Sequence, residues 1–216
     1  MKARSAAASL VFMIVCAAPP MAVATERGGS PFQHIAKKLD ALVSHVVVCP
    51  KAKRRFVHNG DGTICDSRTG LMWEKKNGAD GVPNLSNPRD VDNVYTWSAD
   101  GSSLDPNGTV FTDFLARLNG EIAETVASEQ LAGYRDWRLP TLAELQTLHP
   151  DSCTGSPCVV HPIFLPTAPF LYWTATSVTG EFVGPRLAWG VFFNVEGAID
   201  VEKTIPIHAR AVRGGR

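Results

Sequence analysis

GYRDWRLPTLAELQTL, residues 133–148, is the most distinctive stretch of the chain. It carries a helix start that can be read from spacing alone. Thr141 stands three residues before Glu144. At that spacing a threonine hydroxyl accepts from a first-turn N–H while the glutamate reaches back to the threonine N–H. Pro140 holds Leu139 in extended backbone and so sets the direction of the helix. His149-Pro150 ends it after Leu148. Upstream, Asp136 and Arg138 flank Trp137, which predicts an ion pair between them that pins the loop before the helix.

Downstream comes a tight loop, Cys153-Thr-Gly-Ser-Pro-Cys158, and then four strand-like runs: Tyr172 to Val178, Leu187 to Phe193, Gly197 to Val201 and Ile207 to Val212. Asn194 to Gly197 reads as a hairpin turn. Upstream, Phe111, Phe114, Leu115 and Leu118 recur at helical spacing from about Thr112, and a second segment carries Ile122 and Val126. Residues 77–109 are rich in Gly, Pro, Asn, Asp and Ser and read as a long loop around Tyr95-Thr96-Trp97. Phe56-Val57, then Asn59-Gly60-Asp61-Gly62, then Thr63-Ile64-Cys65 is a hairpin pattern. Ser67 to Gly70 forms a second turn before Leu71-Met72-Trp73. The Asn59, Asp61, Thr63 spacing resembles a calcium loop, but Gly70 stands where a closing glutamate is needed, so the hairpin is the better reading. Few helices followed by short strands and long loops make an α+β fold.

The 216 residues are 44% hydrophobic and 19% charged, with 21 basic and 21 acidic side chains. That balance gives no general attraction to nucleic acid or another polyanion. Lys51, Lys53, Arg54 and Arg55 form one local basic cluster, read as a solvated linker face with a small anion patch as the alternative. Residues 1–24 read as a secretory signal: Lys2 and Arg4, an apolar run from Ala6 to Ala18, then Ala22-Val23-Ala24. The run is too short to span a bilayer, so no stable membrane insertion is expected after cleavage. Residues before Cys16 lack the small side chains that lipid attachment would need. Residues 25–50 contain an amphipathic helix over about 31–48, with Ile35, Leu39, Leu42 and Val46 on one face, that packs on the domain or docks on a partner. Residues 51–216 form the main domain.

Without Cys16, four cysteines remain: Cys49, Cys65, Cys153 and Cys158. An even number in an oxidising compartment points to two disulfides, with three possible pairings. Sequence proximity favours Cys49 with Cys65 and Cys153 with Cys158. A four-thiolate zinc site is the rival, but neither pair has the usual two-residue spacing. Asn84-Leu85-Ser86 and Asn107-Gly108-Thr109 fit the glycosylation pattern.

Three motifs together resemble the Lcl C-terminal domain family: RFVHNGDGTICDSRTGLMWEK at 55–75; FTDFLARLNG at 111–120 with GYRDWRLPTLAELQTL at 133–148; and YWTATS at 172–177 with AWGVFFNVEG at 188–197 and ARAVRGG at 209–215. The resemblance covers roughly 55–215. It implies a C-type-lectin-like fold similar to formylglycine-generating enzyme, with helices flanking short antiparallel sheets. It also implies an exported bacterial protein, periplasmic or extracellular. In the adhesin that gives the family its name, this domain contributes to binding sulfated glycosaminoglycans beside collagen repeats; these 216 residues contain no such repeat.

The expectation is a non-catalytic binding module for a glycan or for an envelope or extracellular protein, with no cofactor. The candidate ligand-binding residues are Tyr95, Trp97, Asp136, Arg138 and Asn194. Tyr95 and Trp97 are the aromatics placed most readily at a surface, where they suit packing and binding equally. Trp73, Trp137, Trp173 and Trp189 read as core, each indole N–H needing a partner. Two alternatives stay open. One is an oxidase-like or metal-dependent enzyme on the same fold, with His149, His161 and Asp151 around the cysteine loop. The other is a structural part of an envelope assembly.

Overall fold

A computed structural model describes residues 49, 52–101, 106–122, 130–179 and 184–215. The signal segment 1–24, Cys16, the amphipathic helix 31–48, Lys51 and the helical segment around Val126 lie outside the described residues.

Two small antiparallel sheets form the frame. The first has the order β1-β2-β3-β7, from Phe56–His58, Thr63–Asp66, Leu71–Glu74 and Val212–Gly214. The second is a meander, β4-β5-β6, from Leu171–Ser177, Leu187–Phe192 and Ala198–Glu202. The first hairpin closes because Asp61 Oδ1 accepts from Thr63 N–H (3.0 Å) and Thr63 Oγ1 (2.6 Å), while Gly60 takes a φ of +88°. The calcium-like spacing is therefore used by a turn. Four residues are buried all along β2, Asp66 included, and Arg55 meets that carboxylate at 3.0 Å.

Among the described residues two short α-helices follow the first three strands, α1, Ala116–Leu118, and α2, Leu142–Gln146, and Thr141 and Glu144 form the expected capping box at the start of α2. The Thr141 N–H donates to Glu144 Oε2 at 2.8 Å, and the Glu144 N–H donates to Thr141 Oγ1 at 3.2 Å. The helix expected from Thr112 differs in kind. It opens as π-helical turns, Val110–Leu115, and continues as one α-helical turn, α1, Ala116–Leu118. Gly120, at a φ of +68°, ends it.

The last run also differs from its sequence reading. Ile207 to Val212 is not one strand: Ile207 bridges Tyr95, His208 bridges Tyr172, and the chain joins β3 only at its end, where the Ala211 carbonyl accepts from the Glu74 N–H at 3.0 Å and Val212 pairs with Trp73. Between these points side chains replace a neighbouring strand. The Ala211 N–H donates to Glu74 Oε2 at 3.1 Å, and buried Arg210 donates to the carbonyls of Phe164 and Pro166 and to Thr167 Oγ1. This C-terminal run therefore touches the loop at 93–97, the strand β4 and the first sheet in turn.

The buried apolar residues gather in two clusters. One holds Tyr95, Trp97, Phe114, Leu118, Trp137 and Trp173; the other holds Phe56, Trp73, Leu145, Phe164, Tyr172, Phe193 and Val212. Trp137 and Trp173 find indole partners in the carbonyls of Leu131 (3.1 Å) and Tyr95 (2.7 Å). Trp73 is fully buried with no partner for its N–H among the described residues, and Trp189 is only half-buried, so the core expectation holds for three of the four and the indole partner is found for two. Trp73 instead gains apolar contact, with Phe164 edge-on at 6.5 Å.

Both disulfides follow sequence proximity: Cys49–Cys65 and Cys153–Cys158, with Cα separations of 5.4 and 5.5 Å. Among the described residues no helix is long and apolar enough to cross a membrane.

Candidate binding groove

Beside the 133–148 motif lies a groove of about 520 Å³. The π-helical turns bring Phe111 and Leu115 to it, α1 brings Ala116, and the extended run before α2 brings Trp137 and Leu139. Asn119, Glu121, Arg138, Thr141 and Ala175 complete the lining. A π-type turn widens the helix and often marks a functional segment. The apolar floor offers contact area, and Glu121 and Thr141 stand exposed at the rim.

Arg138 reaches this groove already engaged. Its Nη1 and Nη2 donate to Glu144 Oε2 and Oε1, both at 2.7 Å, and Nη2 also donates to the Gly214 carbonyl at 3.0 Å. Burial alone would raise the Glu144 carboxyl. The Arg138 guanidinium and the Thr141 N–H outweigh it and hold the group below the usual range. The rim is therefore a preset ion pair with the exposed Glu121 carboxylate beside it.

The ion pair expected between Asp136 and Arg138 does not form. Asp136 instead accepts from Arg213 Nε at 2.7 Å and Nη2 at 3.1 Å, and the Arg213 side chain is 0% exposed against 42% for Arg138. A buried cation left uncompensated costs more than a half-exposed one, which favours Asp136 on the buried arginine while Glu144 serves Arg138. Asp136 is a packing residue, fixed further by the Tyr134 ring 3.5 Å from the Arg213 guanidinium carbon.

Tyr95 and Trp97 are corrections as well. Neither is a surface platform: they are 1% and 4% exposed. The Tyr95 ring packs on Phe114 at 5.1 Å and its hydroxyl accepts from Asn93 Nδ2 at 3.0 Å; burial pushes the phenol well up. Trp97 donates to the Thr174 carbonyl at 3.1 Å. Its ring faces Lys203 Nζ at 3.8 Å, and that buried ammonium has no hydrogen-bond acceptor among the described residues. Burial lowers the Lys203 pKa, and the aromatic face takes the place of a counter-ion. A polar loop buries these rings because its Asn and Asp side chains stand in for missing backbone partners. Asn93 Nδ2, for example, donates to the carbonyls of Asn84 and Asn87.

Asn194 is exposed in the β5–β6 turn, beside the cysteine loop, and does not line the groove. Asn107 accepts from Ala99 N–H at 2.9 Å and from Ser98 Oγ at 3.1 Å, so this acceptor-type sequence does structural work. Among the described residues no three His, Cys, Asp or Glu side chains converge as a metal site. His161 Nδ1 accepts from Ile163 N–H at 3.1 Å.

Of the proposed site residues, the groove brings in Arg138 alone. Ala175, Phe111 and Glu121 were not singled out. Helical spacing reads Phe111 as core, and nothing local marks Ala175 as the exposed position on β4.

A family model described as the Lcl C-terminal domain matches residues 62–213. The chain belongs to the Lcl C-terminal domain family. That span includes both sheets apart from β1 and the end of β7, and all the lining of the groove. No curated protein and no solved structure matches the chain.

Proposed function

We propose that this Lcl C-terminal domain protein is an exported, non-catalytic module that binds a glycan, or a segment of an envelope or extracellular protein, in the groove beside Leu139. The observation that carries this reading is the groove itself, about 520 Å³, with an apolar floor and a hydrogen-bonding rim. That volume and that mix suit a small ligand or one segment of a larger one. Export draws support from the basic start, apolar run and Ala22-Val23-Ala24 of the first 24 residues, and from the two disulfides. Two small sheets joined by long loops agree with a lectin-like architecture.

Charge narrows the ligand. Arg138 is matched by Glu144, and Glu121 adds a carboxylate. The groove therefore favours neutral sugar faces or an uncharged peptide over a sulfated chain.

The test fills the groove without touching the core. Ala175 is exposed, so Ala175→Trp is expected to leave the thermal midpoint nearly unchanged. Wild type and variant are titrated by NMR with neutral oligosaccharides, heparin-derived oligosaccharides and uncharged extended peptides. The expected result is amide shifts at Phe111, Trp137 and Ala175 in wild type, lost in the variant. Shifts confined to other surfaces, or unaffected by Ala175→Trp, would remove the groove from the reading.

A further inference from the structure

The two sulfurs of the Cys153–Cys158 disulfide sit in unlike surroundings. Cys158 is 3% exposed, whereas Cys153 is only half-buried on its loop. Cys158 Sγ is 3.8 Å from His149 Nδ1. The other ring nitrogen, Nε2, meets the carbonyl oxygen of Phe192. A carbonyl only accepts, so Nε2 carries the proton and Nδ1 turns a lone pair to the sulfur. The Phe193 ring packs against the imidazole at 5.0 Å, and the Cys158 N–H donates to the Phe193 carbonyl at 2.6 Å, which fixes both partners. On the Cys153 side, Glu196 Oε1 accepts from the Cys153 N–H at 3.1 Å, and Asp151 stands exposed on the same loop. His161 packs against Phe56 instead. Among the described residues the Cys49–Cys65 disulfide has none of this: both cysteines are buried, and their polar neighbours there are the Leu71 carbonyl and Asn59 Nδ2.

We propose that Cys153–Cys158 is a thiol–disulfide exchange site, in which Cys153 is the sulfur attacked by an external thiol and Cys158 is the His149-assisted resolving thiol. The reaction balances without any further oxidant. An external thiolate attacks Cys153 Sγ, the less buried sulfur of the pair, and forms a Cys153 mixed disulfide as the Cys153–Cys158 bond breaks. Cys158 leaves with the electron pair. The proton that the external thiol gave up returns to the Cys158–His149 pair, where it is shared between Sγ and Nδ1. In the reverse step Cys158 Sγ attacks Cys153, restores the internal disulfide and expels the external thiolate, which recovers the proton. A second external thiol attacking the mixed disulfide instead would leave two cysteine thiols and one external disulfide, two thiols being oxidised as one disulfide is reduced.

The site lies apart from the groove and its test is independent of ligand binding. The folded protein is equilibrated with a glutathione redox buffer, quenched in acid and mapped by mass. Glutathione is expected on Cys153, with Cys158 free and Cys49–Cys65 intact. Resolution of the isolated Cys153–glutathione mixed disulfide at pH 6.5, which restores the internal disulfide and needs no external access to Cys158, should run at least ~10-fold faster than exchange by an ordinary thiol, of which about 1% is ionised there. His149→Gln should remove that acceleration. Opening of both disulfides together, glutathione mapped to Cys158, or an unchanged rate in His149→Gln would each overturn the proposal. Should His149→Gln fail to fold, the wild-type pH profile decides: an inflection at the ordinary thiol value of about 8.5 overturns it too.

Discussion

Replacing Asp136 by Ala separates a packing residue from a ligand-binding one. The carboxylate makes two charge-assisted hydrogen bonds to Arg213, at 2.7 and 3.1 Å, and the guanidinium is 0% exposed. The Tyr134 ring and the Met72 sulfur also touch this guanidinium. Breaking a buried ion pair from one side costs about 3–5 kcal/mol. Asp136 is 33% exposed, so water recovers part of that, and the lower end, about 3 kcal/mol, applies. For a domain of this size that is a fall of roughly 6–12 °C in thermal midpoint. The matched control is Arg138→Ala, which breaks a pair exposed by 42% and 21%; there the pair itself is worth about 1 kcal/mol or less. Asp136→Asn, which keeps an acceptor but no charge, should fall between wild type and Asp136→Ala. Thermal and urea unfolding at pH 7, followed by circular dichroism, measure all three. If Asp136→Ala stays within about 2 °C of wild type but loses groove ligand, the packing argument fails and Asp136 returns to the binding surface.

Trp97→Ala should destabilise by about 3–5 kcal/mol, the usual cost of deleting a buried large aromatic, and should not act as a clean binding mutant. A folded variant with near-normal urea midpoint would show that the ring is dispensable to the core. Gly108→Ala should largely abolish folding, because its Cβ would lie 2.3 Å from the Thr96 carbonyl oxygen and 2.6 Å from the Ser98 nitrogen, both backbone atoms. Soluble, cooperatively unfolding Gly108→Ala protein would contradict that. Burial lowers the His208 pKa, while its Nδ1 sits 3.0 Å from the Asn93 carbonyl. The folded state thus holds that proton more weakly than the unfolded chain. This contribution is complete above about pH 6.5 and is lost as pH falls below it, by at most ~1.4 kcal/mol per pH unit. Stability measured from pH 7 to 5 should drop less steeply in His208→Gln; identical slopes would exclude His208 as the source.

What the sequence by itself determined was local or was carried by a family pattern. Thr141 and Glu144 are three residues apart, and Asn59 to Gly62 is a contiguous turn, so the atoms that form the capping box and the hairpin are neighbours along the chain. The two disulfides followed for the same reason, since each joins cysteines close in sequence. The α+β class followed from the succession of such pieces. Membership of the Lcl C-terminal domain family followed from motifs in a fixed order.

Tertiary structure alone decided where the charged and aromatic residues point. Asp136 chose Arg213, 77 positions away, over its neighbour Arg138, because only the folded chain shows which guanidinium is sealed from water. Tyr95 and Trp97 sit in a stretch whose composition is that of an exposed loop. They are buried because the Ile207 bridge and the Lys203 carbonyl, about a hundred residues on, fold over them. The groove likewise joins Phe111, Leu139 and Ala175 from three separate elements, and the contact of His149 with Cys158 depends on a carbonyl from β5. Local spacing encodes bonds between near neighbours. Burial and long-range partners depend on every element packed around a residue, and they exist only once the chain has closed.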